Sequence, residues 1–217
     1  MEVICLGDSN SVLNDFVAQM RDKKIQKDAM RFRRNLERLG EIFAYEISKK
    51  LSYEAKDVVT PLGIATIPTI NENIVVATIL RAGLPLHSGI LNFFDGAQNA
   101  FVAAYRKYDK GGDFKINIEY CTTPPLDGKT LILADTMLAT GASLEIAYDH
   151  LCRNGEPAKT FLVCPIASAY AVEYLKKVMH GKNIELWTAA IDEELTTHSY
   201  IVPGLGDAGD LAYGEKI

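Results

Sequence analysis

A carboxylate that stands where an apolar run stops, followed by a string of small and hydroxyl-bearing residues, can hold a sugar beside its phosphate. Residues 130–143, T-L-I-L-A-D-T-M-L-A-T-G-A-S, have that order. Leu131, Ile132, Leu133 and Ala134 form a short run of the kind buried on both faces of a parallel sheet. Asp135 therefore falls at a strand's carboxyl end, where open α/β sheets bind their ligands. Ala139, Thr140, Gly141, Ala142 and Ser143 lack bulk, so backbone N–H groups can close around an anion while two hydroxyls add donors. Leu144, Ala147, Tyr148 and Leu151 then recur at helical spacing, which puts the cradle at a helix N-terminus, where the macrodipole favours an anion by ~0.3 to 2 kcal/mol. There is no G-K-[ST], so this is not the nucleoside-triphosphate P-loop. A strand, turn and helix with small residues for packing alone is the plain alternative.

Two arginines stand in comparable positions. Arg81 lies in L-R-A-G-L, residues 80–84, directly after the apolar run Ile74–Leu80, and Pro85 opens the helix that follows at a place where its missing N–H is harmless. A surface ion pair is the alternative reading of Arg81. Arg106 follows a further strand candidate, residues 100–105, and precedes the polar, glycine-bearing residues 107–115, which read as a mobile loop or hairpin tip able to close over a site. At the other end Gly204, Gly206 and Gly209 fit the dinucleotide fingerprint G-x-G-x-x-G. Only eight residues follow Gly209, whereas that fingerprint must follow a first strand, open a helix and meet an acid about 20 residues on.

These stretches resemble the phosphoribosyltransferases, which use 5-phosphoribosyl 1-diphosphate (PRPP). Many members carry two adjacent acids where this chain has Asp135 and Thr136. That departure resembles the uracil branch, whose signature D-P-M-L-A-T-G-G-S differs from this chain at Thr136 and Ala142. L-R-A-G-L resembles the family's pyrophosphate loop, and Y-R at 105–106 the arginine before its flexible flap. R-F-R at 31–33 resembles the N-terminal part of the uracil enzymes, and Y-I-V-P-G-L-G-D-A-G-D, residues 200–210, their uracil-binding loop. The resemblance covers the chain from about residue 21 to its end and implies transfer of phosphoribose to uracil N1, giving UMP and pyrophosphate in pyrimidine salvage. It implies that Asp135, Arg106 and Asp207 are catalytic. Asp135 would hold the ribose hydroxyls, and Thr136, Met137, Leu138, Ala139, Thr140, Gly141, Ala142 and Ser143 the 5′-phosphate. Arg81 and Arg106 would meet the pyrophosphate. Ile201, Gly206, Asp207 and Ala208 would read uracil, with Asp207 near ribose and metal. Mg²⁺ would be held mainly through PRPP and water, without a dedicated protein cage. A homo-oligomer, dimer or tetramer, and a GTP activator fit the same resemblance. One rival is a non-catalytic regulator that senses uridine nucleotides through the same fold. Another is a transferase for a purine or orotate, against which the C-terminal loop speaks.

The elements that must position these residues follow from pattern and composition. At 217 residues the chain suits a single domain, 1–217. Four cysteines without a C-x-x-C pair and no signal peptide predict reduced thiols in the cytoplasm. The four histidines are scattered, which gives a histidine metal site little support, and no apolar run reaches membrane-spanning length. A net charge of −5 argues against nucleic acid. Asn10 or Ser11 predicts a capped helix to about Met20. Ile25, Ala29, Phe32, Leu36, Leu39, Phe43 and Ile47 predict a long one, whose basic start from Arg21 to Arg34 reads as a solvated face or subunit contact before an anion site. Residues 57–70 predict short strands or a hairpin. Residues 160–165 form a further strand, Ser168 caps a helix through Met179, and residues 184–190 are one more apolar run. The expectation is an α/β fold, a mostly parallel sheet flanked by helices, phosphoribosyltransferase-like by resemblance, with a small hood and flap.

Overall fold

The computed structural model describes residues 1–108 and 114–215, the side chains of 104–117 excepted. In chain order the elements are β1 (Glu2–Cys5), α1 (Val12–Arg21), α2 (Ala29–Ser48), β2 (Tyr53–Thr60), β3 (Gly63–Ile70), β4 (Ile74–Leu80), α3 (Leu84–Leu91), β5 (Gln98–Tyr108), β6 (Phe114–Thr122), β7 (Thr130–Ala134), β8 (Met137–Leu138), α4 (Ala142–Leu151), β9 (Lys159–Val163), β10 (Ile166–Ser168), α5 (Ala169–Val178), β11 (Ile184–Thr188), β12 (Ala190–Asp192), β13 (Glu194–Leu195), β14 (Ile201–Val202) and α6 (Ala208–Tyr213). Among the described residues the main sheet has seven strands in the order β1-β11-β9-β7-β4-β5-β6. All neighbours pair parallel except β5 and β6.

The apolar runs explain which strands lie inside. In β7 all five residues are buried, Ile132 and Ala134 joining the core under α1, α2 and α3, Leu131 and Leu133 the core under α4 and α5. This period of two, with apolar residues on both faces, is what helices covering both sides of a parallel sheet require. β4 is built the same way, with Val75, Val76 and Ala77 fully buried. β2 and β3 are the opposite case. They pair antiparallel from Tyr53 with Ile70 to Thr60 with Gly63, and the hairpin is exposed almost throughout.

Three strands of the main sheet break and resume. β7, β9 and β11 continue as β8, β10 and β12, which pair parallel in a small second sheet ordered β12-β10-β8. The breaks are stitched by backbone bonds from Asp135 N–H to Val163 C=O, Cys164 N–H to Trp187 C=O, and Ala189 N–H to Pro165 C=O, each 3.0 Å.

Several expectations need correction. The long helix starts at Ala29, because Asp28 caps it by accepting from Arg31 N–H at 3.0 Å; Ile25–Lys27 is a separate 3-10 turn. β5 runs on to Tyr108, so Arg106 lies inside a strand, paired with Ile116, and residues 107 and 115 pair as the base of a hairpin. The proposed flap's centre, 109–113, lies outside the described residues. The basic stretch from Arg21 to Arg34 is only partly a solvated face: Arg33 donates to Ala212 C=O at 2.6 Å, and Arg21, at the end of α1, pairs with Asp192.

α2 and α3 approach until their backbones touch. A Cβ on Gly89 would lie 1.9 Å from Glu37 C=O, and one on Gly40 2.3 Å from Leu86 C=O. Gly89→Ala must therefore push the helices apart, and overpacking of this kind destabilises by roughly 1 to 3 kcal/mol. A lowered urea midpoint with unchanged slope is the expected result; an unchanged midpoint would contradict the close approach.

Candidate active site

Asp135 is the first residue after buried β7. Its side chain is half-buried, and Oδ1 accepts Thr136 N–H at 2.7 Å. Loss of water around the carboxyl outweighs the help of the Thr136 and Met137 N–H groups and pushes it up to about 6. Cys164, the first residue after the neighbouring strand β9, is fully buried, and its thiol is pushed well above the ordinary range by burial and then by the Asp135 charge. It is a packing residue.

Beyond Asp135 the chain forms a small cavity lined by Asp135, Met137, Leu138, Ala139, Thr140, Gly141, Ser143 and Leu144. Gly141 stands at the N-cap of α4 with φ +86° and no side-chain cap. That conformation suits glycine, and it leaves first-turn N–H groups of α4 at the cavity. A side chain at Gly141 would also strike Tyr174, whose ring carbon is 2.8 Å from the Cβ position. Tyr174 closes the cradle from α5: its hydroxyl donates to Glu145 in the first turn of α4, and that bond first, then burial, raises the phenol to about 12. Ser168 fastens the other side, donating to Ala139 C=O at 2.6 Å while accepting Ala171 N–H at 2.9 Å. The side chains of Thr136 and Leu138 are buried at 3% and 2% exposure. Leu138 lines the cavity, whereas Thr136 is not among its lining residues. Thr140 and Ser143 line it half-buried, whereas Ala142, also half-buried, is not among its lining residues.

Arg81 lies at the end of β4, next to β7 in the sheet, after a cis peptide with Leu80. The turn that follows rests against the end of β7: the Cβ position of Gly83 is 2.1 Å from Thr78 Oγ1 and 3.2 Å from Ala134 C=O. Arg81 is 45% exposed, and its Nη2 donates to Asp210 Oδ1 at 3.4 Å and Gly214 C=O at 3.3 Å. The surface ion pair weighed for Arg81 is thus present, and its partner belongs to the C-terminal segment. Arg106 lies on β5, three residues past Ala103, the partner of Leu80, and so further along the same carboxyl edge; its side chain is outside the described residues.

In the C-terminal segment Ile201, 4% exposed, pairs with Leu195. Gly206 is exposed, Ala208 is buried, and Asp207 caps α6, accepting Asp210 N–H at 3.0 Å. Tertiary contacts supply what sequence reading missed: Asp210 on Arg81, Ser168 on Ala139, and Tyr174 on Glu145. Only Asp210 carried a signal, since it lies inside the stretch 200–210.

Asp135 and its cradle, Arg81 and the C-terminal segment meet at the carboxyl ends of β7 and β4. The arrangement offers backbone N–H groups for an anion, a carboxylate for hydroxyls and a guanidinium for a second anion. Residues 8–215 match the family model described as uracil phosphoribosyltransferase. The uracil phosphoribosyltransferase of Porphyromonas gingivalis is 55% identical over 217 residues, all of both chains. The solved structure of the AQ2163 protein from Aquifex aeolicus superposes with a TM-score of 0.86 at 32% identity over 98% of each chain. A hypoxanthine phosphoribosyltransferase from Staphylococcus aureus shares the fold alone, with a TM-score of 0.50 at 12% identity over 74% of each chain. A family match over nearly the whole length, with the family's motifs gathered at one sheet edge, makes this chain a member of the uracil phosphoribosyltransferase family.

Proposed function

We propose that the protein is a uracil phosphoribosyltransferase, which transfers the phosphoribosyl group of PRPP to N1 of uracil and yields UMP and pyrophosphate. The observation that carries this reading is the convergence of the cradle, Asp135, Arg81 and the C-terminal segment on one sheet edge. As the ribose–pyrophosphate bond breaks, uracil N1 supplies the new bond and its proton leaves. Positive charge grows on the ribose ring and negative charge on the leaving group. Backbone N–H groups of residues 136–143 suit the 5′-phosphate, and ionised Asp135 suits the ribose hydroxyls beside it. Arg81 and Arg106 suit the leaving group, each charge-assisted contact contributing roughly 1.5 to 3 kcal/mol. Ile201 and the backbone of Gly206, Asp207 and Ala208 suit the uracil edge.

The carboxylate oxygens of Asp135 and Asp207 are the donor type that Mg²⁺ takes. Among the described residues no group of three or more His, Cys, Asp or Glu forms a cage, so PRPP oxygens and water would make up most of its shell. Bound there, the ion would neutralise charge on the leaving group. The reading extends to one domain, 1–217, and to a homo-oligomer, dimer or tetramer. Val59, Leu62 and Ile64 on the β2–β3 hairpin are 84%, 100% and 70% exposed, and a two-stranded ribbon left this uncovered by the described residues gains stability from a partner. GTP as activator and a cytoplasmic location complete it; four unpaired thiols suit a reducing compartment.

Asp135→Asn separates function from stability. With its folded pKa raised from 3.8 to about 6, the carboxyl favours the folded state least when ionised. The penalty is absent below about pH 4 and complete above about pH 6, so stability is lost as pH rises through that window. The asparagine variant should therefore gain urea stability over the parent between about pH 4 and 7, while PRPP turnover falls roughly 10- to 100-fold. A variant less stable than the parent at neutral pH, or one with unchanged turnover, would contradict the assignment.

Base choice tests the C-terminal loop. Uracil presents an N3 donor between two carbonyl acceptors, whereas cytosine turns N3 into an acceptor and one carbonyl into an amino donor. A fixed backbone cannot suit both, and sites of this kind discriminate by about 10⁴ to 10⁵. Incubation with PRPP, Mg²⁺ and each base should give UMP from uracil and essentially no product from cytosine. Comparable rates from the two bases would remove the uracil assignment.

A further inference from the structure

The loop at residues 201–208 is gripped from the far end of the chain. Arg21, the last residue of α1, meets Asp192 at the end of β12 in a two-pronged ion pair. Its Nη1 donates to Oδ2 at 2.8 Å and its Nη2 to Oδ1 at 2.9 Å. The same two side chains take both polar groups of one residue in the loop. Arg21 Nη1 donates to Gly204 C=O at 3.0 Å, and Gly204 N–H donates to Asp192 Oδ2 at 3.0 Å. Gln26 adds a second hold, its Nε2 donating to Leu205 C=O at 3.2 Å and to Met20 C=O at 2.8 Å. The pair is sheltered, with side-chain exposures of 22% for Arg21 and 8% for Asp192. Ile201 and Leu205, on either side of Gly204, are buried in the core that α1 and α2 share.

We propose that Arg21 and Asp192 are positioning residues for the nucleobase: without touching it, they hold the backbone of residues 201–208 in the one arrangement that reads uracil. The inference rests on the proposed function. Discrimination by main-chain groups works only if those groups cannot swing to suit another base, so something must remove their freedom before the base arrives. A guanidinium fork on a carboxylate does this, because two parallel bonds fix direction as well as distance. Lysine keeps the charge but loses the fork and the simultaneous reach to Gly204. A pair that served stability alone would, when broken, lower the unfolding midpoint and leave the Michaelis constants of the folded enzyme alone.

The test uses the full chain, with Arg21→Lys, Asp192→Asn and the double variant, each assayed well below its unfolding midpoint. The expected result is a uracil KM raised roughly tenfold, with the KM for PRPP held within about twofold. The rate with cytosine relative to uracil should rise, and the double variant should resemble a single one rather than the product of two, because both act through one clamp. Unchanged KM values in a folded variant, or KM values for uracil and PRPP rising in parallel, would overturn the inference. If Asp192→Asn does not fold, Arg21→Lys decides alone, since it leaves a cation beside the carboxylate. A parent that makes no UMP from uracil and PRPP overturns the proposed function; an active parent whose variants keep their KM values overturns only the clamp.

Discussion

β7 leaves no room for charge. From Thr130 to Ala134 every residue is buried between two apolar layers, and a carboxylate inside that run would have to be stripped of water on both sides. Asp135 occupies the first position where the packing relaxes, and even there the shortage of water pushes its carboxyl up to about 6. The neighbouring strand obeys the same constraint: β4 is buried from Ile74 to Ile79, and the first charged residue after Ile74 is Arg81, just past the strand's end. Because the strands run parallel, their relaxed ends lie on one side. The burial of the sheet therefore gathers the polar residues of distant motifs at a single edge, and the site follows from the core.

The second sheet turns that edge into a structured floor. Each of β7, β9 and β11 breaks, and each resumes as a short strand in the same order, so the three continuations stay in register with one another. The continuations place the contacts that shape the site. β8 leads into the cradle, with Leu138 anchored in the core. β10 ends at Ser168, which caps α5 and holds Ala139 C=O. β12 ends at Asp192, which holds Gly204. Three strand ends thus support the cradle on one side and the C-terminal loop on the other, β8 through apolar Leu138 and β10 and β12 through Ser168 and Asp192, buried polar residues whose bonds are accounted for.

How much of this could be read from the chain depended on distance along it. β4, β7 and the start of α4 were legible because an unbroken apolar run, a turn of small residues and helical spacing are all local signals. Ser168 was legible as a cap for the same reason, while its bond to Ala139, 29 residues away, was not. The long helix was read from Ile25 because its apolar spacing continues through Asp28; the carboxylate that captures Arg31 N–H starts the helix later than the pattern implies. β8, β10 and β12 escaped because two or three residues are too few to show a period. Arg21 looked like one cation in a basic face, and nothing near it points to Asp192, 171 residues on.

The two grips on the C-terminal segment differ in strength, and the difference has a functional sense. Arg21 and Asp192 are sheltered, bond at 2.8 and 2.9 Å, and share Gly204 between them. Removing either partner would leave a charge with little water around it, so this grip does not come and go. Arg81 and Asp210 meet at 3.4 Å with exposures of 45% and 31%, the class of surface pair that contributes about 0 to 1 kcal/mol. A charge-assisted bond from the same guanidinium to a phosphate oxygen contributes roughly 1.5 to 3 kcal/mol. The resting contacts of Arg81, to Asp210 at 3.4 Å and to Gly214 C=O at 3.3 Å, are thus long and exposed beside the one proposed for it. An arriving pyrophosphate group can draw the arginine away from them while Arg21 and Asp192 still hold Gly204. In this arrangement α1 fastens the backbone proposed to read the base, while the arginine proposed to meet the leaving group remains loosely held.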